Sequence, residues 1–403
     1  MRILALFLVT LLSFNVSACA KESTDDKILD IQEVSTKSGV TAWLVEDHSL
    51  PIISLKFSFR GAGSIQNSED KQGLARLLSN TMDEGAGNLT SQEFQKQLSD
   101  YSITLNFTSN RDNFGGQVKT LSRNKDKAFS LLKLALNEPR FDAEPLERMT
   151  QANLSRIKRS IGQPDWINAH IFNDVAFGGH PYALNSGGTL TTLTTITADD
   201  LKTYKNNWLT QDRLVIAATG NITKKELVKI IDNVFSALPK SGLENKIQQG
   251  SLQNKGKTYL FEKDIPQTII TAALPSIDKN HTDYDNLQLL NYIYGGGGFG
   301  SRLMEEAREK RGLTYGIYSQ IAAQDYLSTL NISTSTQNKS VEEMLDIIKA
   351  QMNLLRDTNI TAQELTDAKS YIIGSMPLSL SSTDKVSGIL PVSYTHLTLP
   401  TKA

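Results

Sequence analysis

Apolar and polar residues alternate with period two near the start of the chain, in TAWLVED (residues 41–47) and PIISLKFSFRGAG (51–63). This alternation is typical of strands that bury one face. The more continuous apolar stretch DRLVIAATG (212–220) predicts a buried strand. We therefore expect a β-sheet in the first half of the chain.

Apolar residues recur at helical spacing in four further segments: KQGLARLLSNTMDEGA (71–86), KAFSLLKLALNEPRF (127–141), EPLERMTQANLSRIKRS (144–160) and TKKELVKIIDNVFSALP (223–239). Thr223 is suited to cap the start of the last helix. Strands and helices mix without a regular βαβ order, so we predict an α+β fold.

The second half of the chain repeats the pattern of the first. The segments that start at Asn124 and Asn338 both predict a helix, a short link, an acidic start and a second helix, at an offset of 214 residues. This predicts two homologous domains, each a mostly antiparallel sheet with helices packed on one face. The domains would span 28–240 and 258–390, with the polar stretch 241–257 as their linker.

The second copy is shorter than the first. About 80 residues follow Ser160 in the first domain, whereas the 403-residue chain leaves 29 after the matching position 374. The last 14 residues, LPVSYTHLTLPTKA, have neither helical nor strand periodicity. We expect a truncated second domain and a non-native tail over 391–403; a short natural C-terminus is the alternative.

The N-terminus carries an export pattern. Arg2 precedes the apolar run ILALFLVTLL, which is too short to span a membrane, and small residues follow it. Cys19, the only cysteine, ends a stretch that resembles a bacterial lipoprotein box. We expect a signal peptide over 1–19, lipidation of Cys19, a polar tether over 20–27 and a periplasmic location. Ordinary cleavage after Ala20 is the alternative.

The composition of the chain does not favour a nucleic-acid partner. The chain is 39% hydrophobic and 21% charged with a formal net charge of −1, which is ordinary for a soluble protein. Nothing here indicates a nucleic-acid partner.

A run of glycines opens the most distinctive stretch, YGGGGFGSRLMEEAREKRGLTYG (294–316). Gly295, Gly297 and Gly300 fit a dinucleotide-binding spacing, but a predicted helix precedes them where that motif needs a strand. Ser301 also stands where a phosphate-binding loop would carry its lysine. A nucleotide site is therefore disfavoured.

A charged helix follows the glycines, with Gly312 placed to end it and a strand, LTYGIYSQ (313–320), predicted next. The plain interpretation is a solvated helix with i,i+4 ion pairs such as Glu306 with Lys310.

These motifs resemble the pitrilysin/insulinase zinc peptidases, in the branch of mitochondrial processing peptidase and its bacterial relatives. The resemblance rests on Ser301-Arg302-Leu303, on REKRGL (308–313) followed by Tyr315, and on the stretch that starts GHPYALNSGG at Gly179. It covers about residues 28–390.

The resemblance implies a zinc-binding H-x-x-E-H helix after Gly-Leu-Ala, in which two histidines hold the metal and the glutamate activates water. Here the residues at those positions are Arg76, Ser79 and Asn80. The stretch 151–163, where a third ligand is expected, has no carboxylate, and Glu147 lies earlier on that helix. We expect no zinc or other cofactor in this chain.

Other metal sites have little support. His170 with Asp174 and His281 with Asp285 have i,i+4 spacing, but helix-surface histidines are the ordinary interpretation. Ser64 is better explained by turn formation than as a nucleophile. A single active enzyme with a new metal site stays the least favoured alternative.

The resemblance also implies an arginine and a tyrosine, seven residues apart, that bind the substrate backbone and stabilise the tetrahedral intermediate. Arg308 and Tyr315 match that spacing. We expect a zinc-free subunit that pairs with a zinc-bearing homologue and acts on peptides. Its substrate-facing surface would include the loop glycines Gly295, Gly296, Gly297, Gly298 and Gly300. The alternative is a non-enzymatic structural or peptide-binding protein, like the core subunits of a respiratory complex with this fold.

Overall fold

The computed structural model describes residues 29–36 and 39–396. The predicted signal peptide 1–19 with Cys19, the tether 20–27 and residues 397–403 of the predicted tail lie outside the described residues. Within them, no helix is long and apolar enough to cross a membrane.

Nine strands and twelve helices are named in chain order within the described residues: β1 (Gln32–Ser35), β2 (Thr41–Glu46), β3 (Ile52–Phe59), α1 (Leu74–Thr81), α2 (Ser91–Asp100), β4 (Thr104–Ser109), β5 (Phe114–Leu121), α3 (Lys125–Asn137), α4 (Ala143–Ser160), α5 (Pro164–Phe177), α6 (Ala198–Trp208), β6 (Leu214–Gly220), α7 (Lys224–Val234), β7 (Gln267–Pro275), α8 (Tyr284–Asn291), α9 (Arg302–Met304), β8 (Ile317–Ala323), β9 (Ser328–Gln337), α10 (Val341–Asp357), α11 (Ala362–Ser379) and α12 (Thr383–His396).

The first sheet has six strands in the order β1-β2-β6-β3-β5-β4. All neighbours are antiparallel except β2 and β6, which are parallel. Alternate residues of β3 enter the core, where the Phe57 ring packs edge-on at 5.6–6.0 Å against Phe59, Phe107 and Phe235. The predicted strands and the Thr223 cap, here a full capping box, are confirmed.

The second sheet has three antiparallel strands in the order β7-β9-β8. Its core gathers apolar side chains of the sheet and of the helices that follow: Tyr294, Leu303, Met304, Ile317, Ile332, Met344 and Ile347. β7, β8, β9, α10 and α11 follow one another as β3, β4, β5, α3 and α4 do in the first half. The predicted repeat and the α+β class are thus confirmed.

One helix from each half of the chain packs on the sheet of the other half. α12 packs on β3 and β6, where the hydroxyls of Ser387 and Ser54 share a hydrogen bond of 3.0 Å and Asp384 pairs with Lys119 at 2.5 Å. In return α5 packs on β7, and Asn168 donates to the Thr271 hydroxyl at 2.6 Å. The second face of each sheet is therefore covered by the other half.

Helix α12 extends into the stretch where the sequence predicts a tail. The stretch from residue 390 onward shows no helical periodicity, yet the helix continues through His396. Val386 and Leu390 are buried in the preceding turns. This tertiary packing stabilises a helix that the spacing of apolar residues does not predict.

A buried polar cluster joins the two halves. Tyr182 donates to the carboxylate of Asp112, and the backbone N–H groups of Asp325 and Tyr326 donate to Asp112 and to the Tyr182 hydroxyl, at 3.4 and 3.2 Å. Burial raises the pKa of Asp112. The predicted linker contributes no helix or strand here, but Gly250 donates its N–H to the Tyr326 carbonyl at 2.8 Å.

Candidate active-site surface

Arg308 contacts two aromatic rings. Its guanidinium carbon is 4.4 Å from the centre of the Phe299 ring and 4.9 Å from that of Tyr315. Both rings face solvent, Phe299 with 65% and Tyr315 with 86% of its surface exposed. Such stacking uses the faces of the guanidinium and leaves its N–H edge free to donate. The structure thus brings Arg308 and Tyr315 together, as the sequence spacing suggests.

The helix that carries Arg308 is wound more loosely than an α-helix. After α9 the chain forms a π-helical turn over Glu305–Glu309, in which Lys310 donates to the Glu305 carbonyl five residues back at 2.9 Å. Such turns are frequent at functional sites. The turn ends where Gly312, at φ +62°, donates to the Arg308 carbonyl and Leu313 donates to that of Ala307. The predicted helix stop at Gly312 is therefore confirmed.

Tyr315 lies in a bend ahead of β8, not within that strand as the sequence pattern suggests. Strand β9 fixes this bend. Thr336 donates to the Leu313 carbonyl at 2.7 Å, and Thr334 donates to the Gly316 carbonyl at 3.0 Å. The backbone on both sides of Tyr315 is anchored, so its exposed ring is held over Arg308.

The glycine stretch forms two helical turns and not an open loop. A π-helical turn covers Tyr292–Gly296, and a 3-10 turn covers Gly298–Gly300. Gly295 is buried, and a Cβ there would lie 2.6 Å from the Ser319 hydroxyl. Its predicted place on the substrate-facing surface is wrong, because close packing on β8 fills the space around it.

The remaining loop glycines differ in their surroundings. A Cβ on Gly296 would meet Asn291 at 2.6 Å, and one on Gly297 would meet the Tyr292 carbonyl at 2.7 Å. Gly298, at φ +61°, and Gly300 have open space around them. These two glycines flank Phe299, and the 3-10 turn that they form places the Phe299 ring against Arg308. Sequence reasoning missed Phe299, because the left-handed turn at Gly298 that places its ring is not visible in the local sequence.

The charges around Arg308 are mostly engaged with each other. Glu306 pairs with Lys310 and Arg311, each at 2.6 Å. Among the described residues, the one carboxylate paired with Arg308 is that of Glu309, at 3.5 Å. The predicted Glu306–Lys310 pair is confirmed, and Arg308 keeps most of its hydrogen-bonding capacity for a ligand.

Arg302 anchors the start of the helix to α11. Its guanidinium donates to both carboxylate oxygens of Glu364, at 2.6 and 2.9 Å. This pairing with Arg302 lowers the pKa of Glu364 to about 2. The fork geometry fixes the helix relative to the rest of the second half.

The degenerate zinc motif lies on α1, facing α4. Ser79 is buried and donates to the Arg76 carbonyl at 2.8 Å, and Asn80 donates to the Asn153 carboxamide at 3.2 Å. Burial, and then the charge of Arg76, lower the pKa of Arg156 on α4. A hydroxyl, two carboxamides and two arginines do not fit Zn²⁺, which takes thiolate, imidazole or carboxylate ligands.

The described residues contain no group of three or more His, Cys, Asp or Glu that could hold a metal ion. His170 stacks on Trp166 at 4.8 Å, and His281 approaches Asp283 at 3.9 Å, not Asp285. Each histidine thus makes an ordinary contact with a near neighbour along the chain.

Two family profiles match the chain in tandem. One, described as "Insulinase (Peptidase family M16)", matches residues 58–178, and the other, "Peptidase M16 inactive domain", matches 195–372. The chain belongs to the insulinase family. The first match includes the degenerate motif on α1, and the second includes Arg308 and Tyr315.

Relatives of known name agree with this membership. "Non-peptidase homolog YmxG" of Helicobacter pylori is 28% identical over 362 residues, which is 88% of this chain and 81% of that protein. The mitochondrial-processing peptidase subunit beta of Saccharomyces cerevisiae is 22% identical, over 81% of this chain and 74% of the relative.

A solved structure from Pseudomonas fluorescens, described as a peptidase M16 inactive domain, superposes with a TM-score of 0.84 and 29% identity. It covers 91% of this chain and 88% of its own. The shared architecture is thus that of the M16 family.

Proposed function

We propose that this chain is the zinc-free subunit of a two-chain insulinase-type peptidase. Arg308 and Tyr315 would be donated to a composite site whose metal is held by a homologous subunit. The observation that carries the proposal is the contact of the half-buried Arg308 with the exposed Tyr315 ring, in a chain whose degenerate motif on α1 offers no zinc ligands.

The chemistry of the pair suits peptide hydrolysis. Arg308 presents a permanent positive charge, and its free N–H groups can donate to a peptide carbonyl or to the oxyanion that forms on it. The Tyr315 hydroxyl supplies a second, directional donor. Both bind the substrate, and neither can activate water without the metal of the other subunit.

The names of the relatives are consistent with this division of labour. One relative is called a non-peptidase homologue, and another is a named subunit of a processing peptidase. The substrate we propose is a peptide in extended form, enclosed between the two chains.

We also propose that this chain is exported from the cytoplasm. The signal-like segment and Cys19 favour a periplasmic, lipid-anchored protein. Mass spectrometry of the purified N-terminus tests this directly, because Cys19→Ser should abolish the lipid mass. An unmodified Cys19 in the wild-type protein would contradict the anchor.

Mixing experiments test the heterodimer. The purified chain should contain no stoichiometric zinc and cleave no peptide, while adding a zinc-bearing homologue encoded beside it should give activity above that of either chain alone. Stoichiometric, tightly held zinc in the isolated chain would contradict the proposal. No gain on mixing would favour the structural or peptide-binding alternative.

A further inference from the structure

A small pocket lies between α5 and the loop 184–186, within the first half of the chain. Its volume is about 90 Å³, which is room for about three waters or for one carboxylate with its methylene groups. Its polar lining consists of Arg111, Trp166, His170, Asn173, Asn185 and Ser186. None of the described residues that line it is acidic, and Asp165 and Asp174 of α5 are exposed outside it. We call it the Arg111 pocket.

Arg111 gives this pocket a positive charge without a counter-charge. Its guanidinium carbon lies 5.5 Å from the centre of the Phe177 ring and 5.8 Å from that of Tyr182. Within the described part of the chain, the guanidinium makes no hydrogen bond or ion pair. The adjacent Asp112 carboxylate already accepts from the Tyr182 hydroxyl and the Asp325 N–H. Burial lowers the pKa of Arg111, because the surroundings do not replace the water that its charge has lost.

Three further donors line the Arg111 pocket. The indole N–H of Trp166 and the carboxamide of Asn173 make no hydrogen bond with the described residues. The Asn185 carbonyl oxygen accepts the Gly187 N–H at 3.0 Å, so the NH₂ of Asn185 stays available to donate. The Trp166 ring stacks on His170 at 4.8 Å, and this contact holds the indole in place. The pocket is therefore rich in donors.

The charges beside the pocket are positive as well. Arg156 of α4 touches the same loop, since a Cβ on Gly187 would lie 2.7 Å from a guanidinium nitrogen of Arg156. Burial, and then the charge of Arg76, lower the pKa of Arg156. Trp166 lies in the first turn of α5, where the partial positive charge of the helix also favours an anion.

We propose that the Arg111 pocket binds a carboxylate group. The guanidinium would donate to both carboxylate oxygens, and the N–H groups of Trp166, Asn173 and Asn185 would donate to their other lone pairs. A single carboxylate matches both the small volume and the one permanent charge of the lining. It would come from the C-terminus of a peptide or from an aspartate or glutamate side chain. This inference does not rest on the proposed peptidase role, because no residue of the pocket belongs to the Arg308–Tyr315 contact.

The NMR signal of the Trp166 indole N–H tests the pocket in the full chain, whose three tryptophans can be isotope-labelled. Trp166→Phe assigns the signal. The probes are acetyl-Ala-Ala-Glu-Ala-Ala-amide, the same peptide with Gln for Glu, and the Gln peptide with a free C-terminal carboxylate. At least one carboxylate peptide should shift the signal saturably, and the neutral peptide should bind about tenfold more weakly or less. The peptide that binds more tightly identifies the source of the carboxylate.

Arg111→Met should weaken binding of the carboxylate peptide by about tenfold or more. Arg159→Met, at an exposed arginine of α4 outside the pocket, is the matched control and should stay within about twofold of wild type. Arg111 also packs on two rings, so Asn173→Ala serves as a second variant. It should weaken binding by about threefold while thermal unfolding stays unchanged.

Three results would overturn the proposal. One is the absence of a saturable shift of the Trp166 signal with both carboxylate peptides. Another is equal binding of the Glu and Gln amide peptides when the free C-terminal carboxylate adds nothing. The third is tighter binding of inorganic phosphate than of either carboxylate peptide, because the pocket would then be a phosphate site.

Discussion

Phe299 is the residue that most changes the view of the candidate site. It sits nine residues before Arg308, and its ring centre lies 4.4 Å from the guanidinium carbon that also contacts Tyr315. The contact depends on a left-handed Gly298 and a loosely wound helix, neither of which local sequence reveals. Residue spacing could therefore predict the Arg308–Tyr315 pair, but not the ring that completes the stack.

Phe299→Leu removes the aromatic face while it keeps an apolar side chain. We expect a fall of about two- to fivefold in kcat/KM of the mixed enzyme, because an exposed cation–π contact contributes ~0.5–1 kcal/mol. Phe299→Trp should retain near wild-type values. Equal losses in both variants would show that Phe299 does not position Arg308 through its ring.

The Arg302–Glu364 pair gives the second half a pH dependence. The folded pKa of Glu364, about 2, lies below its ordinary value of 4.5, so the pair stabilises fully above about pH 4.5 and its contribution is lost as pH falls toward 2. Urea unfolding should show wild type more stable than Glu364→Gln at pH 7, with the difference shrinking at pH 4 and pH 3.

Glu343→Gln is the matched control, since Glu343 is an exposed glutamate held only at 3.7 Å from Arg311. Its stability difference from wild type should stay near zero. A Glu364→Gln difference that is constant with pH would exclude the ion pair as its cause.

At the scale of elements, α12 shows what sequence periodicity leaves out. The sequence pattern predicts β8, α10 and α11, because each has its own apolar periodicity. The crossing of α5 and α12 onto the sheet of the opposite half has no local signature, since a helix face does not encode its partner. Only the tertiary structure reveals that exchange.

Leu390 tests the packing of α12. It is buried, so Leu390→Ala should lower the free energy of unfolding by about 2–5 kcal/mol. Leu378→Ala on α11 makes the same substitution at a side chain that is 69% exposed, and should change stability by less than ~0.5 kcal/mol. Similar small losses in both variants would mean that α12 does not pack on the first sheet in solution.

At the scale of the whole molecule, the two halves share a fold but divide their chemistry. The first half retains the metal-motif helix without metal ligands, and the second presents the Arg308–Tyr315 stack. The loss of ligands could be inferred from Arg76, Ser79 and Asn80 alone. The position of Arg156 opposite this motif could not be inferred from the sequence, because it depends on how α4 packs against α1.

The most direct test is the turnover of the mixed two-chain enzyme carrying Arg308→Ala in this chain, with Arg311→Ala as the control. Arg311 lies on the same charged segment but is engaged by Glu306. Arg308→Ala should lower kcat by about 10²-fold with the complex still assembled, as expected for loss of a transition-state donor, and Arg311→Ala should stay within about twofold of wild type. Unchanged kcat for Arg308→Ala in an assembled complex would contradict the composite site.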